Sequence, residues 1–526
     1  MEAEQVESCL RLLGLAKRLP ADHPDRRRIE HAATGLIRDG RHERRAAARA
    51  QATRLDGELL AATAMGAADR RMDVPLPTPA PTAAASTPAP TAAASAPVPT
   101  AGPGTNAPAA GFLPGSLRRP RHCYVCQRLF SRVHHFYHRL CPDCAVDNLA
   151  RRAARTDLAG RRVLLTGGRV KIGHELALMM LRDGAEVMVT TRFPADAARR
   201  FGAAPDAGRW WGRLSVATLD LRDPRQVVAL TDRLLADGAS LDILVNNAAQ
   251  TLLRPAFSYV LLAAGEASPH DAALPVWRAP GFVPPGTGVL RSALHTAPGA
   301  DAHEPPHGHA RTREHADPHG TLAPTELPGA DGPLPDTAGL LPDVAGLLPG
   351  KAGLFPDVAG LLPDPSAANS WSARLGGVEP VDLLEAQLVN AVAPFLLADR
   401  LLPLMLASPH PRRYVVNVSA VEGQFAAAYK TGGHPHTNMA KAALNMLTRT
   451  SAGELAARHV YMCSVDTGWI TDEKPLPERD RHARTGWRTP LDVVDGAARV
   501  YDPIVRGEAG DPVHGVLLKD YREVPW

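Results

Sequence analysis

The sequence predicts an α/β protein built on a doubly wound parallel sheet. From Asp157 onward, apolar runs of strand length alternate with helical patterns: RRVLLTGG is followed by ELALMMLRDG, AEVMVTTR, LSVATLDL and LDILVNNAA. Short glycine-marked connections join these runs, as in sheets whose helices cover both faces. The alternation stops near residue 251 and resumes near residue 380. One large α/β domain with an insertion is therefore expected.

Composition limits the function classes. The formal net charge of +4 is small for 526 residues, so the chain as a whole is not expected to bind polyanions. No run of about 20 apolar residues is present and the first residues lack the apolar core of a secretory signal, so no membrane association is expected. Four of the six cysteines form two close pairs, a usage typical of metal sites in a reducing compartment. A soluble, cytoplasmic protein is predicted.

Four regions follow from the patterns. They are a basic helical region (1–72), a Pro/Ala/Thr-rich linker (73–119), a four-cysteine module (121–150) and the α/β domain (157–526) with a low-complexity insertion at about 255–375. The linker is expected to be extended and to bury no core. The helical region fits either a surface for a partner or nucleic acid, or a small bundle with a solvated basic face, which we prefer.

The insertion contains tandem heptapeptides, AGLLPDV and its variants, at 338–365 and a His-rich segment at 303–319. A proline in each heptapeptide excludes a continuous helix. A lid, a docking surface and a repeat expansion without function all remain open.

A glycine turn in VLLTGGRVKIGHELA (163–177) lies between a predicted strand and a predicted helix. Backbone N–H groups at a helix start can face a diphosphate, and small residues allow close approach. LDL, NNAA, QLVNAVAP, VVNVSA and TNMAKAALNML follow in order. This ordered set resembles the short-chain dehydrogenase/reductase family over about 157–250 and 380–526. The resemblance implies a Rossmann-like sheet and oxidoreductase activity.

By that resemblance, the glycine turn lines the diphosphate and ribose of a nicotinamide coenzyme, and residues after the later strands enclose its adenine and close the pocket floor. The implied coenzyme-binding residues are Thr166, Gly167, Arg169, Ile172, Gly173, Arg192, Asp220, Leu221, Asn246, Ala248, Lys441 and Thr471. Lys171 stands where the family has its middle glycine. If φ is negative there, a lysine costs little and points to solvent.

Charge after the second strand indicates which coenzyme is used. NAD-preferring members carry an acid there, whereas this chain has Thr190, Thr191 and Arg192, with Arg169 in the glycine turn. Two guanidinium groups can bind a 2′-phosphate through bidentate hydrogen bonds, and no carboxylate is expected to repel it. NADP is predicted, with NAD as the alternative.

The cysteine module carries two Cys-x-x-Cys pairs, Cys123/Cys126 and Cys141/Cys144. Four thiolates in two tight turns give the tetrahedral sulfur set that zinc prefers, and the segment has too few apolar residues to fold unaided. Structural zinc is predicted. A redox dithiol is the alternative, although it would need only one pair.

The catalytic set implied by the resemblance is atypical. The family uses a tyrosine as proton donor four residues before a lysine, a serine that orients the substrate oxygen, and a helix asparagine that anchors a water relay. Ser419, Lys441 and Asn390 match, but Thr437 has the place of the tyrosine. An aliphatic hydroxyl is too weak an acid to act alone. Thr437 could relay a proton from Lys441 or water, or merely cap the helix.

The interval from Ser419 to the lysine is longer than usual for the family, so YKTGGHPH is expected to form an enlarged loop over the site. Tyr429, His434 or His436 in that loop could supply the missing acid. A site without chemistry also fits.

The sequence thus predicts an NADP-dependent oxidoreductase acting on a small-molecule carbonyl or alcohol. A homo-oligomer is one assembly that the protein could form. The alternative is a catalytically weak NADP-binding sensor or scaffold that recruits a partner through its zinc and helical modules.

Overall fold

The computed structural model describes residues 2–79, 111–252, 254, 256–266, 274–287, 360, 362 and 369–526. These residues form two compact units, Met1–Asp69 with Ala80–Val146, and Arg70–Pro79 with Asp147–Trp526. The His-rich segment, most of the heptapeptides and the middle of the linker lie outside the described residues.

The first unit contains two helices and the cysteine segment. Its elements are α1 (Ala3–Ala16), α2 (Pro24–Ala61), the antiparallel pair β1 (Arg121–His122) and β2 (Leu129–Phe130), and the start of α3 (Pro142–Arg152). Pro24 opens α2 at a position where its missing N–H costs nothing, and the side chain of His23 caps the helix. The middle of α2 is exposed on all sides, in keeping with a solvated polar surface.

The expectation of an extended linker over 73–119 is wrong at both ends. At one end, Asp73 is buried and the Leu76 N–H donates to Asp492 in the second unit. At the other, Leu117 is buried and the Arg118 N–H donates to Asp56 at 2.6 Å. These backbone groups find partners outside their own segment, which composition alone does not reveal.

The second unit is built on a sheet of nine described strands in the order β11-β10-β9-β8-β6-β3-β4-β5-β7. All neighbours are parallel except β10 and β11. The strands are β3 (Arg162–Leu165), β4 (Glu186–Thr191), β5 (Leu214–Thr218), β6 (Ile243–Asn246), β7 (Val276–Arg278), β8 (Arg413–Ser419), β9 (Val460–Asp466), β10 (Leu517–Lys519) and β11 (Arg522–Val524).

Helices flank this sheet. They are α4 (Lys171–Arg182), α5 (Pro194–Gly202), α6 (Pro224–Asp237), α7 (Val260–Gly265), α8 (Pro380–Gln387), α9 (Ala393–Leu406), α10 (Pro435–Ala457), α11 (Leu476–Arg484) and α12 (Val493–Glu508). All seven residues of β8 are buried, as expected for a strand covered on both faces. The predicted doubly wound parallel sheet is confirmed.

The insertion predicted for about 255–375 begins with folded chain. Residues 256–266 include the buried helix α7, and β7 pairs in parallel with β5 at the edge of the sheet. VWR in β7 is too short a run to predict a strand from periodicity. The low-complexity description therefore does not apply to this first part.

One helical stretch among the described residues, Pro380–Leu406, is long and apolar enough to span a membrane by length and composition. Such a stretch was not predicted from the sequence. Half of its most apolar window is buried within the fold. A core helix of an α/β domain has the same character.

Candidate active site

The candidate site lies at the carboxyl edge of the sheet, between β3 and β6. The chain passes from β3 to β4 and β5 on one side and then returns to β6 on the other. Such a reversal opens a crevice outside the carboxyl ends of the strands, where ligands of doubly wound sheets bind. The glycine turn follows β3, and Ala248 follows β6.

The glycine turn is sterically closed to larger residues. Gly167 has φ +74°, and an added Cβ would lie 3.0 Å from Ala248 Cα. A Cβ at Gly168 would lie 2.5 Å from Val189, and one at Gly173 would lie 2.1 Å from the carbonyl oxygen of Gly167. These glycines are needed so that the backbone can pack this closely.

Lys171 contradicts the expectation of a negative φ and a solvent-facing side chain. Its φ is +54°, a left-handed conformation that favours glycine. Its ammonium lies 3.0 Å from Glu473 and 4.0 Å from Asp73. These two carboxylates explain why a lysine is held in this conformation.

The start of α4 offers hydrogen-bond donors to a ligand. Its N-cap residue, Val170, supplies no side-chain cap, so the first N–H groups of the helix can face an anion. Beside it, Thr166 Oγ1 accepts the N–H groups of Asn247 and Ala248, each at 3.0 Å. The turn and the end of β6 thus form one rigid wall.

The two arginines predicted to select NADP lie near each other but already have partners. Arg169 is 2.6 Å from Asp196 and donates to the carbonyl oxygen of Gly360 at 3.0 Å. Arg192 lies 3.9 Å from Asp220 and stacks over the Tyr259 ring at 5.1 Å. The expectation of no nearby carboxylate is therefore wrong. A 2′-phosphate would share these guanidinium groups with the two aspartates.

The other predicted coenzyme residues take structural positions around this wall. Asn246 donates to Asn417 at 2.8 Å across two neighbouring strands. Asp220 accepts from Arg222 at 2.6 Å, and hydrogen bonds from Arg222 contribute to holding its pKa below the usual value, against the opposing effect of burial. Leu221 is buried, and Thr471 donates to Glu473 at 2.8 Å. Ile172 packs against Gly496, where an added Cβ would lie 3.0 Å from the Ile172 side chain.

Lys441 is the buried cation of the site. It is 5 % exposed, and its Nζ donates to the Val418 carbonyl oxygen at 2.7 Å. Burial lowers its pKa to about 8, although the charge of Glu422 opposes that shift. A lysine in this state can change protonation near neutral pH.

Two hydroxyl groups, one at the end of β8 and one near the start of α10, are available to a ligand. Ser419 Oγ and Thr437 Oγ1 are both buried, and neither has a hydrogen-bond partner within the described part of the chain. Thr437 does not cap α10, because the N-cap residue is His434. Buried hydroxyls without partners are costly, so a ligand that binds them gains free energy.

Asn390 lies in a π-helical turn, Leu388–Val392, between α8 and α9. Its Nδ2 donates to Gln250 O at 2.8 Å and to Ala386 O at 2.9 Å, and its Oδ1 accepts the Gln250 N–H. Such π turns occur frequently at functional sites. Asn390 is thereby fixed against the loop after β6.

The three acid candidates of the loop after β8 differ in burial. Tyr429 is 82 % exposed, so its phenol lies in solvent. His436 is buried, and burial lowers its pKa. His434 is partly buried and contacts Trp371, with ring centroids 4.0 Å apart. Only the two histidines are enclosed by the protein.

The comparisons with known proteins agree with this arrangement. The family model for short chain dehydrogenase matches residues 161–260, which span the glycine turn and the first strands. This part of the chain is therefore similar to short-chain dehydrogenases.

Individual relatives are distant. Uncharacterized protein R665 of Acanthamoeba polyphaga mimivirus is 28% identical over 400 residues, which is 73% of this chain and 71% of that protein. The short chain dehydrogenase/reductase dpmpG of Macrophomina phaseolina is 37% identical over 94 residues, 18% of this chain and 53% of the relative. NADPH-bound carbonyl reductase from chicken fatty liver aligns over 71% of this chain and all of its own, with 15% identity and a TM-score of 0.39.

A nicotinamide coenzyme fits the residues present at this edge of the sheet. The closely packed glycine turn and the uncapped start of α4 follow β3, and Ser419, which carries one of the two open hydroxyls, ends β8 at the same edge of the sheet. Each is a feature that a bound dinucleotide would satisfy.

The four cysteines form a separate candidate metal centre in the first unit. The sulfur atoms of Cys123, Cys126, Cys141 and Cys144 all lie within 4.8 Å of one another. The Cys141 N–H donates to Cys123 Sγ at 3.2 Å, which orients one thiolate. This donor set suits a tetrahedral ion that prefers sulfur.

Sequence reasoning missed several residues of the site. Glu473 and Trp371 act through contacts with residues far along the chain, and Glu422 acts through His434 of the same loop. One sequence signal could have indicated Glu473. Lys171 stands at a glycine position of the turn, and a charge that becomes buried there needs a residue of opposite charge nearby.

Proposed function

We propose that this protein is an NADP-dependent oxidoreductase acting on a carbonyl or alcohol substrate. A bound nicotinamide supplies or accepts the hydride, and the protein binds the substrate oxygen and handles its proton. The observation that carries the proposal is the buried Lys441 beside the open hydroxyls of Ser419 and Thr437.

Each group of residues at the site would have a separate role. The glycine turn and the start of α4 would bind the diphosphate through backbone N–H groups. Lys441 would hold the ribose, while the Ser419 hydroxyl would donate a hydrogen bond to the substrate oxygen. NADP is favoured over NAD because Arg169 and Arg192 border the end of β4.

We also propose that the four cysteines hold one structural zinc ion. A zinc ion would neutralise the thiolates and link the β1–β2 pair to the start of α3. This assignment is independent of the reaction.

Two measurements test the proposed reaction. Calorimetric titration should show that NADPH binds more tightly than NADH, and a panel of carbonyl compounds should show coenzyme oxidation. Lys441→Met should weaken both binding and turnover, whereas Lys17→Met, at the residue that follows α1, should change neither. Binding without any turnover would favour a coenzyme sensor instead, and tighter binding of NADH would contradict the NADP assignment.

A further inference from the structure

Reduction of a carbonyl group needs a proton as well as a hydride, because the electron pair of the C=O π bond ends on the oxygen. A threonine hydroxyl does not release its proton near neutral pH, and the Tyr429 side chain is exposed. Another side chain near Lys441 is therefore needed as proton donor.

His434 lies in a suitable place. It is the N-cap residue of α10, one helical turn before Thr437 and two turns before Lys441. Its φ is +40°, and its N–H donates to the Ala373 carbonyl oxygen at 2.8 Å. The backbone of His434 is thus anchored at the start of the helix.

Two contacts with Trp371 fix the imidazole ring of His434. The rings stack with 4.0 Å between centroids and 7° between planes. The Nδ1 atom lies 2.8 Å from the Trp371 carbonyl oxygen. A carbonyl oxygen can only accept, so Nδ1 carries a hydrogen and Nε2 is the atom that exchanges its proton.

Glu422 links this ring to the lysine. Its carboxylate lies 3.8 Å from His434 Nε2, and the same charge acts on Lys441. The turn that carries Glu422 packs on α10 so closely that a Cβ on Gly423 would lie 2.6 Å from the Lys441 carbonyl carbon. Lys430 holds this turn by donating to the Glu422 carbonyl oxygen at 2.7 Å.

We propose that His434 is the proton donor of this site, with Glu422 stabilising its imidazolium form and Trp371 fixing its ring. The proposal rests on the proposed function. In the reductive direction the Nε2–H bond breaks and its proton goes to the substrate oxygen, while the substrate carbon gains the hydride of the reduced nicotinamide. The neutral ring keeps its Nδ1 hydrogen and regains a proton from solvent. In the oxidative direction Nε2 takes the proton of the alcohol.

The charged and titratable groups near this segment are Glu422 and Lys430 on the loop after β8, Arg374 beside Gly432, His436 and Lys441 on α10, and Asp382 on α8, which acts on His436.

The first test removes the ring and then supplies it again. His434→Gly keeps a residue that tolerates positive φ and leaves a space for free imidazole. Turnover should fall by about 10²–10⁴-fold, NADPH affinity should stay within about twofold, and added imidazole should restore part of the turnover. His514→Ala, at the opposite edge of the sheet, is the matched control and should behave like the parent protein.

Turnover retained in His434→Gly would overturn the assignment. A loss that imidazole does not restore would mark a structural role and would overturn it as well. If the parent protein binds NADPH but reduces no carbonyl compound, the enzyme proposal itself fails, which is a different result from retained turnover.

The second test needs no turnover. Nitrogen NMR of labelled protein should show the neutral His434 ring as the Nδ1–H tautomer, and Trp371→Ala should release this preference. A neutral ring protonated at Nε2 would overturn the proposal, because that atom could not then accept a proton from an alcohol.

Discussion

The Lys171 ammonium lies 3.0 Å from the Glu473 carboxylate and joins the glycine turn to the loop after β9. One ion pair therefore ties these two segments together. Lys171 accepts a φ of +54° to make it. The backbone strain lowers the free energy of unfolding and the ion pair raises it. Substitutions can separate the two effects.

We expect Lys171→Gly to reduce the free energy of unfolding by about 1–3 kcal/mol, because losing one partner of a largely buried pair outweighs the relief of strain. Urea unfolding measures the change. Lys171→Gly with Glu473→Gln should recover most of it, since no unpaired carboxylate then remains. A single Lys171→Gly variant more stable than the parent would show that strain dominates.

Acid should weaken the same contact. The Lys171 charge lowers the pKa of Glu473 from 4.5 to about 2, so the folded state binds this proton less tightly than the unfolded state. The stabilisation is complete above about 4.5 and is lost as the pH falls towards about 2. Glu473→Gln should remove about 3 kcal/mol of this acid sensitivity, whereas Glu454→Gln on the exposed surface of α10 should leave it unchanged.

The glycine turn should reject even one methyl group. Gly173→Ala places a Cβ 2.1 Å from the Gly167 carbonyl oxygen, so backbone must move. We expect a loss of roughly 2–4 kcal/mol in the free energy of unfolding together with weaker NADPH binding. Gly212→Ala is the control, because no atom lies within 4 Å of its added Cβ. Equal stability of the two variants would contradict the packing described for the turn.

Coenzyme affinity should depend on pH through Lys441. Burial lowers its pKa to about 8, so the ammonium form is lost as the pH rises through that value. NADPH should bind roughly tenfold more weakly at about pH 9.5 than at about pH 7. In Lys441→Met the affinity should be low and nearly flat over that range. A steep decline in this variant would assign the effect to another group.

Removing one thiolate should release the metal. Elemental analysis should find one zinc per chain in the parent protein and none in Cys141→Ser, with local unfolding of residues 121–150 and NADPH binding retained. Cys9→Ser is the matched control because Cys9 is an exposed free cysteine of the same unit. Parent protein without zinc would contradict the assignment.

Strand and helix periodicity was enough to predict the parallel sheet. The runs around Val163, Val187 and Val415 appear as buried parallel strands, because buried strands leave continuous apolar runs in a sequence. The glycine turn was equally predictable, since no larger side chain fits at Gly167 or Gly173.

Long-range pairing was not predictable in the same way. The sequence showed Lys171 and Glu473 as separate charges 302 positions apart. Likewise, the loop that contains Tyr429 and His434 exposes the first and encloses the second. Local pattern carries no information about which distant backbone, here that of Trp371, closes over a loop.

Residues 70–79 have a consequence for the biosynthesis of this protein. Arg70 donates to the Thr489 carbonyl oxygen at 2.9 Å, 419 positions later in the chain. Arg152 likewise pairs with Asp492, 340 positions away. On the ribosome the early segment emerges long before its partners exist, so the sheet unit can be completed only near the end of translation. An expression fragment that starts at the first strand of the sheet would leave Thr489 and Asp492 without the guanidinium groups that cover them.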